Sequence, residues 1–158
     1  MDLEKELTKK LTESAVEIFT GMVMMELEPA SKPVRELREL KQSITGMVGL
    51  AGMYKGLLAI HVPNEIAKTI TGNFLGLEVD QVDEVNEDVQ DAIGELANML
   101  GGSLKNILSD KGKDIQLSLP STISGESYTF MPQSEIDKLI LAFNVAQGIF
   151  YVQVELES

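Results

Sequence analysis

Residues 91–105 read DAIGELANMLGGSLK, and this stretch decides the fold. It lies within residues 83–108, where apolar side chains recur at steps of three and four residues, the spacing of an amphipathic helix. Six apolar residues share one side of the predicted helix: Val89, Ile93, Leu96, Leu100, Leu104 and Ile107. We expect that side to face the core, so the rest of the domain must build a surface that receives it.

The opposite side of the same helix is polar. At about 100° per residue, a set of positions called the polar stripe falls within an arc of roughly 80°: Asp91, Glu95, Asn98, Gly102 and Lys105. The adjacent glycines Gly101 and Gly102 each cost a helix about 1 kcal/mol relative to alanine. Two explanations for them stay open, namely close approach of a partner's backbone on the stripe and tight packing of the helix against a sheet.

The flanking sequence predicts further helices and a set of strands. A helix over residues 2–27, with Met22 in its apolar stripe, ends before Pro29, and a shorter helix follows Pro63. Strand patterns, including two hairpins, occupy residues 34–42, 43–62, 115–119, 121–124, 128–131, 139–145 and 150–156. This order of elements predicts a single α+β domain over residues 1–158, with helices packed on a mostly antiparallel β-sheet.

The composition narrows the classes of function. Cysteine is absent, which excludes disulfides and thiolate metal sites, and the only histidine, His61, is interpreted as a packed or hydrogen-bonded side chain. A formal net charge of −12 disfavours nucleic acid and anionic membranes as partners. No apolar run approaches the roughly 20 residues of a membrane span, and the charged first residues are unlike a signal peptide. We therefore expect a cytoplasmic protein.

An acidic segment precedes Glu95. It contains neither lysine nor arginine, and its carboxylates are Glu78, Asp80, Asp83, Glu84, Glu87, Asp88 and Asp91. Carboxylates in the first turns of a helix interact favourably with its dipole. Negative charge on one side can also steer a basic partner towards the polar stripe. Both interpretations stay open.

Residues 91–105 resemble the signature helix of the CheC/CheX/flagellar-switch family. The resemblance extends to ITGMVGL at residues 44–50, GLL at 56–58 and SLPSTISG at 118–125, so it spans roughly residues 44–125. It implies an active pair formed by a Glu and an Asn three residues later, which match Glu95 and Asn98.

The number of such pairs distinguishes branches of this family. CheC-like members carry a second Glu-x-x-Asn on the first long helix, where this chain has Glu13 with Val16 and Glu17 with Thr20. Only one Glu-x-x-Asn occurs in the sequence, which points to the CheX branch.

The resemblance implies a phosphatase that hydrolyses the aspartyl phosphate of a CheY-like receiver domain in chemotaxis or a related two-component pathway. Asn98 would hold the attacking water, because an amide offers both an acceptor and donors. Glu95 would bind a cation on the receiver, and Asp91, Gly102 and Lys105 would form the partner-binding rim. No cofactor of its own is implied, and Mg²⁺ is expected on the receiver.

Two further expectations follow from the same resemblance. Flagellar-switch relatives bind phosphorylated receivers without depending on hydrolysis, so a non-catalytic adaptor is the alternative function. A homodimer is also implied, in which edge strands of two subunits pair, because a long unprotected edge is usually covered in soluble proteins.

Overall fold

Helices pack on one face of a seven-stranded antiparallel sheet in the computed structural model, which describes residues 3–37, 39–78, 82, 84–110, 113–131 and 136–157. The helices are α1 Leu3–Ile18, α2 Asn64–Leu75 and α3 Glu87–Leu108. The strands are β1 Glu28–Pro29, β2 Leu40–Gly52, β3 Gly56–Pro63, β4 Ile115–Leu117, β5 Ser121–Tyr128, β6 Ile136–Val145 and β7 Gly148–Glu157. The predicted α+β class and antiparallel sheet are confirmed.

The sheet has the strand order β1-β6-β7-β3-β2-β4, and β5 also pairs with β2. β2 is long enough to hold two strands on one edge, with β5 paired to residues 40–47 and β4 paired to residues 50–52. Both predicted hairpins are present, as β2–β3 and β6–β7. Within the described residues β5 pairs with β2 alone, so its second edge is open.

The strand register brings apolar side chains onto the face below the helices. Leu141, Val152 and Ile60 lie side by side in one row across β6, β7 and β3, and Gly46 of β2 continues this row. A Cβ atom at Gly46 would lie 2.9 Å from the carbonyl oxygen of Ile93 in α3. The missing side chain therefore lets the backbone of α3 contact the sheet directly.

The apolar side of α3 faces the core as predicted. Five of the six predicted residues are fully buried, and Ile107 is partly buried against the same core. Burial of each leucine or isoleucine side chain stabilises the folded state by about 1.5–3 kcal/mol. The apolar side therefore holds the helix on the sheet. α3 begins at Glu87 because Asn86 caps it, accepting a hydrogen bond from the N–H of Val89 at 3.2 Å. The predicted start at residue 83 lies outside the described residues.

The first helix is shorter than the predicted 2–27 segment. The α-helix ends at Ile18, a π-helical turn of five residues follows, and Met24 adopts a left-handed conformation with φ of 56°. The N–H of Met24 donates to the carbonyl of Phe19, which closes the helix end. The wider turn rotates Met22 away from the apolar stripe. The prediction that Met22 faces the core was wrong, since this residue is 54% exposed.

Two strand predictions were wrong in extent. The segment predicted as a strand over residues 34–42 joins the sheet only from Leu40, while Val34 forms an isolated bridge to Ile140; residue 38 lies outside the described residues. Separate strands were predicted over 121–124 and 128–131, but β5 runs without a break to Tyr128. β2 supplies pairing partners for β5 as far as Leu40, and this partner sets the length of the strand.

A chain of polar side chains crosses the other face of the sheet, and all of its members are buried except Tyr128, which is partly buried. The Tyr128 hydroxyl lies 2.8 Å from Thr45 Oγ1, which lies 2.7 Å from Nδ1 of His61. Nε2 of His61 lies 3.0 Å from Oε1 of Gln153, whose Nε2 donates to Glu155 at 2.7 Å. Because Nε2 of the Gln153 amide donates to Glu155, the Oε1 atom of the same amide faces His61 and acts as an acceptor. His61 therefore donates to Gln153 and accepts from Thr45, which confirms the packed, hydrogen-bonded histidine.

The buried histidine makes stability depend on pH. Burial lowers the pKa of His61 from 6.5 to about 4, and the hydrogen bond to Gln153 partly offsets this effect. The unfolded chain gains a proton on His61 below pH 6.5, whereas the folded chain does so only near pH 4, so stability is lost as the pH falls through this window. We expect the free energy of unfolding to fall by about 1 kcal/mol as the pH is lowered from 6 to 5. Urea unfolding of wild type and His61→Gln measures this slope, which the substitution should flatten.

Tyr128→Phe is the matched control. It removes only the outer hydroxyl of the polar chain, so it should keep the wild-type pH slope even if it lowers stability. An equal slope in wild type and His61→Gln would show that another group causes the pH dependence.

Candidate functional site

The polar stripe lies on the solvent side of α3. Asp91 and Glu95 are exposed, and Asn98, Gly102 and Lys105 are partly buried. Glu95 and Asn98 are three residues apart, which makes their side chains neighbours on a helix surface. The structure thus brings all five predicted residues onto one accessible face. Their roles towards a partner stay a prediction.

Glu95 and Asn98 have unpaired side chains within the part of the chain that the structure describes. Among the residues that the structure describes, no side chain forms a hydrogen bond or an ion pair with either of them. The amide of Asn98 offers acceptor lone pairs and two donor hydrogens, and the carboxylate of Glu95 can accept from a cationic donor. The pair therefore presents its full hydrogen-bonding capacity to a second molecule.

The two adjacent glycines of α3 have different surroundings. A Cβ atom at Gly101 would lie 2.7 Å from Cγ2 of Val48 and 3.5 Å from Leu117, so packing against the sheet explains this glycine. A Cβ atom at Gly102 would meet nothing within 4 Å. Gly102 follows Asn98 by one turn, and its missing side chain leaves a gap in the stripe there. Packing of the helix does not explain that gap.

The segment between β4 and β5 lies against the flank of α3. A Cβ atom at Gly94 would lie 3.7 Å from both Pro120 and Thr122, next to the turn that carries Glu95. Pro120 and Thr122 therefore form one border of the site. No sequence pattern predicts this contact, because residues far apart along the chain leave no geometric signal of their contact in the sequence.

The start of α3 is strongly acidic. Exposed carboxylates in and before its first turns are Glu84, Glu87, Asp88 and Asp91. Glu87 and Asp88 lie in the first turn and Lys105 in the last, where each charge interacts favourably with the helix dipole. Asp80 and Asp83 lie outside the described residues. The surface that leads to Glu95 is therefore negative and suits a cationic partner surface.

No group of three or more carboxylate or imidazole side chains is placed to hold a metal ion among the described residues. In the same residues, none of the helices combines the length and hydropathy of a membrane-spanning segment.

Comparison with known proteins assigns a family. The family model described as "Chemotaxis phosphatase CheX" matches residues 44–144. The CheY-P phosphatase CheX of Thermotoga maritima is 33% identical over 88 residues, which are 55% of this chain and 55% of that protein. The matched segment thus spans about half the length of that relative.

Solved structures share the fold over nearly the whole chain. A CheC-like superfamily protein from Shewanella sp. PV-4 is 29% identical, with a TM-score of 0.83 and coverage of 100% of both chains. The CheX of Borrelia burgdorferi, solved as a complex with CheY, BeF₃ and Mg²⁺, has a TM-score of 0.78 and 22% identity over 95% of this chain and 97% of that one. At that identity the likeness concerns the fold alone. The family model covers all of α3 with its polar stripe and most of the strands from β2 to β6, and the chain belongs to the CheX family of chemotaxis phosphatases.

Proposed function

We propose that this protein hydrolyses the aspartyl phosphate of a CheY-like receiver domain in the cytoplasm, and that residues 1–158 form the single domain that carries the site. The observation that supports this most directly is the pair of Glu95 and Asn98 on an accessible helix face, without partners among the described residues. The Thermotoga maritima relative is named for this reaction, which supports the proposal from an independent direction.

The reaction needs a positioned water more than a strong base. A water oxygen bonds to phosphorus while the bond from phosphorus to the aspartyl oxygen breaks, which releases inorganic phosphate, a proton and a free carboxylate. The transition state of phosphoryl transfer is loose, so catalysis depends mainly on orientation and charge stabilisation. The amide oxygen of Asn98 accepts a hydrogen bond from the water and directs its lone pair at phosphorus. The amide N–H₂ group is free to donate to a phosphoryl oxygen.

Glu95 has a binding role in this proposal. Its carboxylate would be repelled by a phosphoryl group, so it pairs instead with a cationic side chain of the receiver beside the phosphorylated aspartate. This contact fixes the position of the helix and therefore the reach of Asn98. Asp91 and Lys105 lie towards the two ends of the stripe and form the rim of the interface. The receiver supplies Mg²⁺, which neutralises charge on the phosphoryl oxygens.

Substitution of Asn98 and substitution of Glu95 should affect turnover and receiver binding differently. Asn98→Ala should abolish accelerated loss of phosphate while receiver binding stays within about threefold, because the lost contact with water exists mainly in the transition state. Glu95→Ala should weaken binding and turnover together, since truncation of a central charged contact typically costs tenfold or more. Loss of phosphate from the cognate phosphoreceiver measures turnover, and titration of the beryllofluoride-activated receiver measures affinity.

Controls come from residues of the same chemistry. Gln90 is an exposed amide on α3 about 80° round the helix from Asn98, and Glu17 is an exposed carboxylate on α1. Gln90→Ala and Glu17→Ala should both behave as wild type. Full activity in Asn98→Ala would place the chemistry on another residue. Binding of the receiver by wild type without any acceleration would leave the adaptor as the function.

Substitution of Gly102 gives a second test, because a larger side chain there should raise stability but weaken receiver binding. We propose that its gap admits the receiver backbone beside Asn98. Gly102→Ala should raise the free energy of unfolding by about 1 kcal/mol, the ordinary gain in a helix interior. Gly102→Gln keeps most of that gain but fills the gap, so it should weaken receiver binding by about tenfold. Urea unfolding and the receiver titration measure the two effects.

Gly101→Ala is the contrasting variant, since overpacking against Val48 should lower stability despite the better helix propensity. Unchanged receiver binding by Gly102→Gln would remove Gly102 from the interface.

We also propose a homodimer in which the open edges of β5 from two subunits pair. β5 has eight residues that are mostly exposed, and it contains neither proline nor lysine, the residues that commonly protect an edge strand. Pairing of two such edges would satisfy backbone groups that otherwise face solvent.

Sedimentation at micromolar concentration should give twice the 17.3 kDa mass of the chain. Ser124→Lys places a charge in the middle of β5 and should shift the protein towards monomer, whereas Ser31→Lys, in an exposed connection, should not. A wild-type monomer at this concentration would contradict the dimer.

A further inference from the structure

Leu119 is 88% exposed, the largest exposure among the big apolar side chains of the described residues. Single exposed apolar residues are common on protein surfaces, so exposure by itself assigns no role. Two further observations distinguish Leu119, namely how its backbone is held and where it lies relative to the polar stripe.

The backbone around Leu119 is held from both sides. The N–H of Ser118 donates to the carbonyl of Gly49 at 2.9 Å, and the N–H of Gly49 donates to Oγ of Ser118 at 2.8 Å. The same hydroxyl donates to the carbonyl of Leu119 at 3.0 Å. Pro120 then restricts the chain on the other side of Leu119. Because this backbone is already restrained, little backbone conformational freedom is lost when a partner binds the Leu119 side chain.

The segment also runs alongside the active helix. Leu117 lies against Gly101, and Pro120 lies against Gly94, seven helical residues earlier. Those seven residues rise about 10 Å along α3, which is also about the length of three residues of extended chain. The segment is therefore antiparallel to the helix, and Leu119 is level with the turn that carries Glu95 and Asn98.

The Leu119 side chain lies between two contacts of its segment with α3. Leu117 faces α3 and Ser118 faces β2 at Gly49. Pro120 also contacts α3, at Gly94, so the segment follows the helix flank on both sides of Leu119. The exposure of Leu119 shows that its side chain extends into solvent beside α3 rather than packing on the helix. An exposed apolar side chain therefore borders the surface formed by the Glu95 carboxylate and the Asn98 amide.

We infer that Leu119 is the apolar anchor of the receiver interface and inserts into an apolar pocket beside the phosphorylated aspartate of the partner. The inference rests on the proposed phosphatase function and extends it to a residue outside the Glu95/Asn98 pair. The matching receiver surface has a cationic group that faces the polar stripe. It also has an apolar depression about one helix turn away from that cationic group. A few fully desolvated side chains near the centre of an interface typically carry most of its binding energy, while the surrounding contacts mainly exclude water.

A membrane fits this surface poorly. The net charge of −12 and the carboxylates beside Leu119 oppose association with anionic lipid headgroups. A second copy of this chain is an alternative occupant that the experiment separates from the receiver.

Leu119→Ser tests the inference through a separation of binding from turnover. The dissociation constant for a beryllofluoride-activated receiver from the same genome should rise about tenfold, and the KM for the phosphoreceiver should rise in parallel. The kcat should stay within about twofold, because Leu119 does not reach the reacting atoms. Leu119→Met, which conserves volume, should bind nearly as wild type. Met131→Ala removes another strongly exposed apolar side chain and should leave affinity unchanged.

The outcomes separate this inference from the proposed function. Tm values equal to wild type for Leu119→Ser, together with the loss of affinity, would support an interface role. Wild-type binding of the receiver with equal binding by Leu119→Ser would overturn the anchor alone. Failure of the wild-type protein to bind any activated receiver would overturn the proposed function and the anchor with it. Dissociation of the homodimer by Leu119→Ser, with receiver binding unchanged, would assign the residue to the subunit interface and reject the inference.

Discussion

Close contact between α3 and the sheet is the constraint on which the rest of the structure depends. At Gly46 the strand approaches the helix so closely that a Cβ atom would lie 2.9 Å from the carbonyl of Ile93, and Gly101 admits Val48 from the other direction. Side chains at these glycines would separate the two layers and strain a core that is packed to the density of a solid. Helix and strand therefore fit together at two points, and the rotation of α3 about its own axis is determined by both.

The accessible site follows from that rotation rather than from a cavity. Once the apolar side of α3 is buried, Glu95 and Asn98 must lie on the opposite side, since a helix repeats every 3.6 residues. A rigid surface of this kind suits a catalyst whose partner supplies the substrate and the Mg²⁺, as in the proposed function. Such a catalyst needs to orient one water and one neighbouring charge, and orientation is what an anchored helix provides.

The two faces of the sheet are built differently. Below the helices the rows are aliphatic and aromatic, whereas the other face buries a directional chain of hydrogen bonds that ends on Glu155. This chain connects side chains of four strands, and it includes Tyr128 at the end of β5 and His61 in the middle of the sheet. Such a network stabilises only one arrangement of its strands, because an incorrect register would leave buried polar groups without partners. It holds β5, which pairs with no second strand among the described residues, in register with β2.

The sequence by itself determined the elements whose pattern is local. Helical spacing identified α3 with its buried and polar sides, alternation identified both hairpins, and the resemblance of residues 91–105 and 118–125 pointed to Glu95 and Asn98. Only the tertiary structure decided features that depend on partners far along the chain. The π-helical turn after α1 exposes Met22, and pairing with β2 extends β5 to Tyr128. Packing against the sheet accounts for the glycine at position 101 but not for the glycine at position 102. No local pattern contains this information, because each of these outcomes is set by the atoms that a residue meets in space and not by its neighbours in sequence.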